Sequence, residues 1–161
     1  MKYVSTRSAE RKVDAAQAIV AGLSHEGGLY VPESFPQFSK DMIGAMADMT
    51  YAQRAKQVMG AYLTDYTDEE MQACVDEAYT YGRFDGEPAP VKKVQDMHMM
   101  ELWHGPTHAF KDMALQMLPR LMTRAIGLFV SMNEMELPRI VQRNRHAAIT
   151  TKETVSAATL L

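Results

Sequence analysis

Glu101-Leu-Trp-His-Gly-Pro-Thr-His-Ala-Phe-Lys-Asp-Met-Ala-Leu-Gln-Met-Leu118 decides how this chain is read. Gly105-Pro106 forms a turn, and Thr107 is placed to cap a helix. Lys111 then falls in the first helical turn of an apolar, methionine-rich segment. A lysine there is badly placed for a structural salt bridge and well placed to be a reactive amine. A lysine amine is a nucleophile only when neutral, and its ordinary pKa near ~10.4 keeps it charged. Burial against Phe110, Met113, Ala114 and Leu115, together with a helix N-terminus, is expected to favour the neutral form. That is the setting of a lysine that forms a Schiff base with a carbonyl cofactor. The plain alternative is a helix-start lysine snorkelling to solvent. His104 and His108 flank it as candidates to move protons or simply to cap the loop, and Asp112 suits a first turn by dipole logic alone.

Working outward, Ala109 to Ala125 is expected to form a helix, with Phe110, Ala114, Met117, Leu118, Leu121 and Met122 at helical spacing and a kink or a local break at Pro119. Upstream, Val91 to Val94 and His98 to Leu102 read as two strands joined by a turn near Asp96. The Gly- and Pro-containing stretch 82–90 reads as a boundary or linker. Before it, Tyr3 to Thr6 reads as a short strand and Val13 to Leu23 as a helix. Glu26 to Pro32 is a turn into an extended segment, and Ser39 caps a short helix through Met46. Thr50-x-x-Gln53 and Thr67-x-x-Glu70 are capping boxes opening helices to about Leu63 and Tyr79. Met71, Cys74, Val75 and Ala78 are expected on the inner face of the latter. After Gly127 the periodicity weakens, and Arg139, Arg143, Arg145 and His146 form a modest basic run.

The 161 residues are enough for one domain with a real core, or a small domain and the start of another. With 47% hydrophobic and 23% charged residues the composition is that of a globular chain. A net charge of −3 offers no basic field for a phosphate backbone, so nucleic acid is not an expected partner. No apolar run approaches the ~20 residues that span a bilayer, so neither is a membrane. The N-terminus lacks the apolar core of a signal peptide, and a lone Cys74 fits a reducing, cytoplasmic compartment. The 14 methionines are read as adaptable core filling rather than a methionine-lined metal or peptide site.

The literal residues go further. The segment Glu101 to Leu118 closely resembles the pyridoxal-phosphate lysine segment of threonine synthases. Tyr3-Val-Ser-Thr-Arg7, Gly22-Leu-Ser-His-Glu-Gly-Gly-Leu-Tyr-Val-Pro32 and Tyr62-Leu-Thr-Asp-Tyr-Thr-Asp-Glu-Glu70 resemble the N-terminal part of the same family. The resemblance runs from about Met1 to Ala125. It implies a mixed α/β protein: a small, mostly helical N-terminal domain at 1–83, then at 84–125 the beginning of a fold-type II pyridoxal-phosphate catalytic domain. It implies the conversion of O-phospho-L-homoserine and water to L-threonine and phosphate, with Lys111 as both the catalytic residue and the covalent holder of pyridoxal 5'-phosphate. No metal is implied, and the oligomeric state is left open. His108 stands where the family motif often carries Leu or Cys.

The family's later Ser-Gly-Asp-Thr-Gly loop and its glycine-rich phosphate cradle are not in these residues, whose last glycine is Gly127. Residues 126–161 are therefore expected to be a divergent tail, disordered or read in a shifted frame. Ala147-Ala148-Ile149 is what codons for Ser-Gly-Asp-Thr yield one nucleotide on. As a truncated chain the protein is expected to be inactive; the alternative is a non-catalytic module that binds a partner through the apolar helix after Phe110.

Overall fold

Side-chain caps set where the first four helices of this chain begin. The structure, a computed structural model, describes residues 1–132. Strand β1 (Tyr3–Ser5) is followed by helix α1 (Ala15–Ala21), strand β2 (Tyr30–Pro32), and helices α2 (Lys40–Ala45), α3 (Tyr51–Tyr62) and α4 (Asp68–Tyr79). Ser39, Thr50 and Thr67 each accept a hydrogen bond from the backbone N–H three residues on. Gln53 and Glu70 return the bond to the backbone of Thr50 and Thr67, completing both expected capping boxes. Helix α1 starts two residues later than its pattern suggests, because Val13 is drawn into a bridge with Tyr3 of β1. Its N-terminus takes a cap from a distance: Asp65, between α3 and α4, accepts from the Ala16 N–H at 2.7 Å.

Strands β1 and β2 pair antiparallel, Val4 opposite Val31. The turn between α1 and β2 closes so tightly that a Cβ on Gly28 would lie 2.2 Å from the Ser5 hydroxyl. That hydroxyl is itself buried against Ser24 at 2.9 Å. Only glycine fits there.

The second half opens with an irregular stretch over 82–90, as its glycines and prolines indicate. Phe84 nevertheless drops into the core at 7% exposure. Strands β3 (Val91–Val94) and β4 (Met97–Met100) form an antiparallel hairpin with a two-residue turn, Gln95 taking φ +55°. Helices α5 (Asp112–Leu115) and α6 (Leu118–Met132) follow. Of the kink or local break expected near Pro119, the structure shows the break, and the helix begins at Asp112 rather than Ala109. The break lies at Gln116-Met117, just before Pro119, whose ring and missing N–H do not allow the ladder to run through. Helix α6 also passes beyond Ala125 to Met132. The basic run at 139–146 and the Ala147-Ala148-Ile149 segment lie outside the described residues.

The core is built by α1, α4 and α6. Ala16 and Val20 meet Met71, Cys74, Val75 and Ala78, and Leu121 and Ala125 of α6 close the layer. Met117, at the helix break, is 2% exposed. Burying side chains of this size contributes about 1.5–3 kcal/mol each. Two tyrosines stitch the halves together: Tyr66 donates to the Leu121 carbonyl at 3.0 Å, and Tyr79 to the Met113 carbonyl at 2.8 Å. Both phenols are pushed well above their ordinary pKa, chiefly by burial. Glu77 of α4 faces Arg120 and Arg124 of α6. The expected mixed α/β class is what the chain adopts, with its described strands confined to two small hairpin-like sheets.

Candidate active site

The segment 101–112 is a folded loop, and a carboxylate organises it. Asp112 is 1% exposed. Its two oxygens accept hydrogen bonds from the Thr107 backbone N–H and the Thr107 hydroxyl, each 2.8 Å. Burial raises its pKa, but the Thr107 bonds, a backbone bond from Ala109 and the adjacent Lys111 charge outweigh that and hold it below the ordinary carboxylate value. Thr107 is therefore not the helix cap expected of it. It donates to Asp112 rather than accepting from a first turn, and the first residue able to start a helix is Lys111 itself.

Gly105 is buried under the same carboxylate: a Cβ there would lie 2.5 Å from the Asp112 Cβ. His108 takes φ +54° and its Nδ1 donates to the Trp103 carbonyl at 3.1 Å. Left-handed backbone in a non-glycine residue costs free energy and persists only where its surroundings impose it. His104 stacks on Trp103, with ring centroids 5.8 Å apart, and its Nε2 meets Glu101 Oε2 at 2.8 Å. The His104 carbonyl accepts from the Asp85 N–H, tying the loop back to the irregular 82–90 stretch.

Lys111 stands on the outside of this arrangement. It is exposed. Its backbone carbonyl accepts from the Ala114 and Leu115 N–H groups, while its amine enters no hydrogen bond or salt bridge among the described residues. The buried apolar setting expected for it is not formed by these elements: Phe110 is 75% and Leu115 47% exposed, and α5 is a single four-residue turn. The apolar residues of this segment that do face inward are Met113, half-buried, and Met117. Phe110, read at helical spacing with Met117 and Leu121, lies before α5 begins and does not share their burial.

The arrangement therefore offers an accessible primary amine on a loop whose backbone is fixed from beneath. It does not offer a phosphate cradle. The N–H groups of Thr107, His108 and Asp112 are already bonded inside the loop. No group of His, Cys, Asp and Glu side chains that would hold a metal occurs among the described residues. Cys74, deep in the core, has its thiol pushed up by burial and is no nucleophile. An open surface cavity of about 410 Å³ lies instead along α4, lined by Asp68, Gln72, Asp76 and Tyr81 among others, away from the loop.

The family model described as threonine synthase N terminus matches residues 2–79. Threonine synthase of Methylobacillus glycogenes is 37% identical over 131 residues, covering 75% of this chain and 27% of that protein. The N-terminal region of this chain belongs to the threonine synthase family. The solved pyridoxal-phosphate-bound threonine synthase of Brucella melitensis superposes with a TM-score of 0.73 at 35% identity, over 80% of this chain and 28% of that one. Yeast threonine synthase superposes at 0.69 and 29% identity, over 86% of this chain. The chain spans about a quarter of the length of the threonine synthases it matches.

The loop 101–112 follows the matched N-terminal region. Of its sequence-predicted residues the structure brings His104, Thr107, His108 and Asp112 into that loop, with Lys111 on its outer side. Sequence reasoning missed the Asp112–Thr107 pair and the Glu101–His104 pair. The signal for the first was a carboxylate five residues after a threonine, with a glycine two residues before it; for the second, a Glu and His three residues apart.

Proposed function

We propose that this chain provides the cofactor lysine of a threonine synthase: Lys111 holds pyridoxal 5'-phosphate in the conversion of O-phospho-L-homoserine and water to L-threonine and phosphate. The observation that carries this is an exposed, uncommitted Lys111 amine, on a loop fixed from beneath, in a chain whose N-terminal region is that of a threonine synthase. The residues present fit the carbonyl end of the cofactor, which needs one free amine. When bound, the cofactor supplies the electron sink for bond cleavage next to the amino group.

The chain's own residues do the rest of what is described here. Lys111 binds and then is free to move a proton at its Nζ. His104, held by Glu101, keeps the loop's first turn in register. The bonded N–H groups of Thr107, His108 and Asp112 leave the cofactor phosphate to donors other than these. In this reading 1–83 is the family's N-terminal domain and 84–125 the start of its catalytic domain. In this reading the chain works with a small anionic substrate in the cytoplasm, and its lone buried Cys74 accords with a reducing compartment.

The test is direct. The 161-residue chain mixed with pyridoxal phosphate is expected to develop the visible absorbance of a lysine-bound cofactor, and Lys111→Ala to lose it. Absorbance that persists in Lys111→Ala would overturn the assignment. Tested alone, a polypeptide of these residues is expected to release phosphate from O-phospho-L-homoserine far more slowly than family members, because misplacement of reacting groups near ~1 Å costs about a hundredfold. Phosphate release at family-like rates overturns that expectation.

A second reading is favoured by one observation: Val91, Met97, Met99, Met100, Trp103 and Phe110 are all about half or more exposed. Such a concentration of apolar surface suits a non-catalytic module that binds a partner. A folded chain that takes up no cofactor at Lys111 supports it.

A further inference from the structure

We propose that Asp112 is the positioning residue for Lys111: its buried carboxylate closes the 105–112 loop onto Thr107 and Gly105 and thereby sets where the neighbouring amine stands. This rests on the cofactor reading of Lys111. Within Phe110-Lys-Asp112 only Asp112 turns inward, at 1% exposure, while Phe110 and Lys111 face out. A carboxylate out of water is costly unless it is bonded. It forms no salt bridge among the described residues; its closest partners are the Thr107 N–H and hydroxyl, both at 2.8 Å, with the Ala109 N–H as a further donor. Bonds from neutral donors to a charged acceptor are short and directional, so they fix geometry.

The same carboxylate carries the close approach of Gly105, where any Cβ would fall 2.6 Å from Oδ2. On its other side Asp112 continues into α5, whose Met113 carbonyl is held by the buried Tyr79 hydroxyl. Met117 then enters the core. Lys111 is thus one residue from the point where the loop is joined to the helical core, and it inherits its backbone position from that joint.

The experiment treats the 161-residue protein with pyridoxal phosphate and borohydride and measures, by peptide mass, adduct at Lys111 relative to Lys92 and Lys93. Those two lie on the exposed hairpin and act as internal standards. The unaltered chain is expected to favour Lys111. Asp112→Asn keeps the volume but loses an acceptor, and is expected to reduce that preference on the order of tenfold, within the ~hundredfold cost of a 1 Å misplacement. Thr107→Val, milder for folding, is expected to reduce it in the same direction, and Thr107→Ser to restore it by keeping the hydroxyl. A merely structural loss would unfold the chain and raise all lysines together. A preference for Lys111 that survives in both Asp112→Asn and Thr107→Val overturns the positioning role and leaves the cofactor reading standing. No preference in the unaltered chain overturns the cofactor reading and this inference with it.

Discussion

Asp112 is the residue whose environment departs furthest from its position in the sequence. Its folded pKa is held below the ordinary carboxylate value. For a depressed carboxyl, the contribution to stability is present above the unfolded pKa and is lost as pH falls through the folded one. The Thr107 amide, which donates to it, is therefore expected to keep its position in an NMR pH titration down through the usual Asp range and to move only below it. In Asp112→Asn that signal should not titrate. A Thr107 amide that shifts at the ordinary Asp pKa contradicts the bonded geometry. Gly105→Ala tests the same contact by sterics. A Cβ at 2.5 Å from a side chain that is itself bonded cannot be accommodated without movement, and overpacking of this kind costs about 1–3 kcal/mol. Thermal melting that matches the parent would show that the loop does not sit on Asp112.

At the scale of elements, caps and tyrosine hydroxyls hold the helices in place. Thr67→Ala removes one half of the capping box of α4 and is expected to cost about 1 kcal/mol in denaturant unfolding. Tyr79→Phe removes the bond to the Met113 carbonyl and leaves that acceptor without its partner, at a cost of about 1–3 kcal/mol. Because this bond joins α4 to α5, hydrogen exchange in Tyr79→Phe should rise at α5 before α3. Equal acceleration everywhere would mean that the hydroxyl stabilises the whole fold and not the joint. The capping boxes at Thr50 and Thr67 and the cap at Ser39 were legible in the sequence, because a cap and its partner are three residues apart. The cap of α1 by Asp65 was not, because its partner Ala16 is 49 residues away. The same holds for the helix break: Pro119 marked it, but Met117 made it a fixed feature by filling the core where the ladder stops.

For the molecule as a whole, α6 is the element on which the two halves close. Leu121, 8% exposed, contributes its side chain to the core and its carbonyl to Tyr66. Leu121→Ala is expected to cost roughly 2–5 kcal/mol, through lost burial and the cavity left behind. Cys74 offers a readout: fully buried, with its thiol raised by burial, it should react with a thiol reagent only on opening of the α1–α4–α6 core. Its labelling rate should therefore rise in Leu121→Ala in step with the lost stability. Fast labelling of the unaltered chain would show that the core opens locally.

The sequence by itself determined the caps at Ser39, Thr50 and Thr67, the short strands, the hairpin, the inner face of α4 and the threonine synthase resemblance of the lysine segment. Those are local or literal features, carried by residues a few positions apart. Only the tertiary structure decided that Lys111 faces outward, that Phe110 is exposed, and that Asp112 is the buried member of the motif. Periodicity began the helix at Ala109 and set Phe110 at helical spacing with Met117 and Leu121. The chain instead spends Thr107 on Asp112 and delays the helix to that residue. A buried charge needs donors more than a helix needs its first turn.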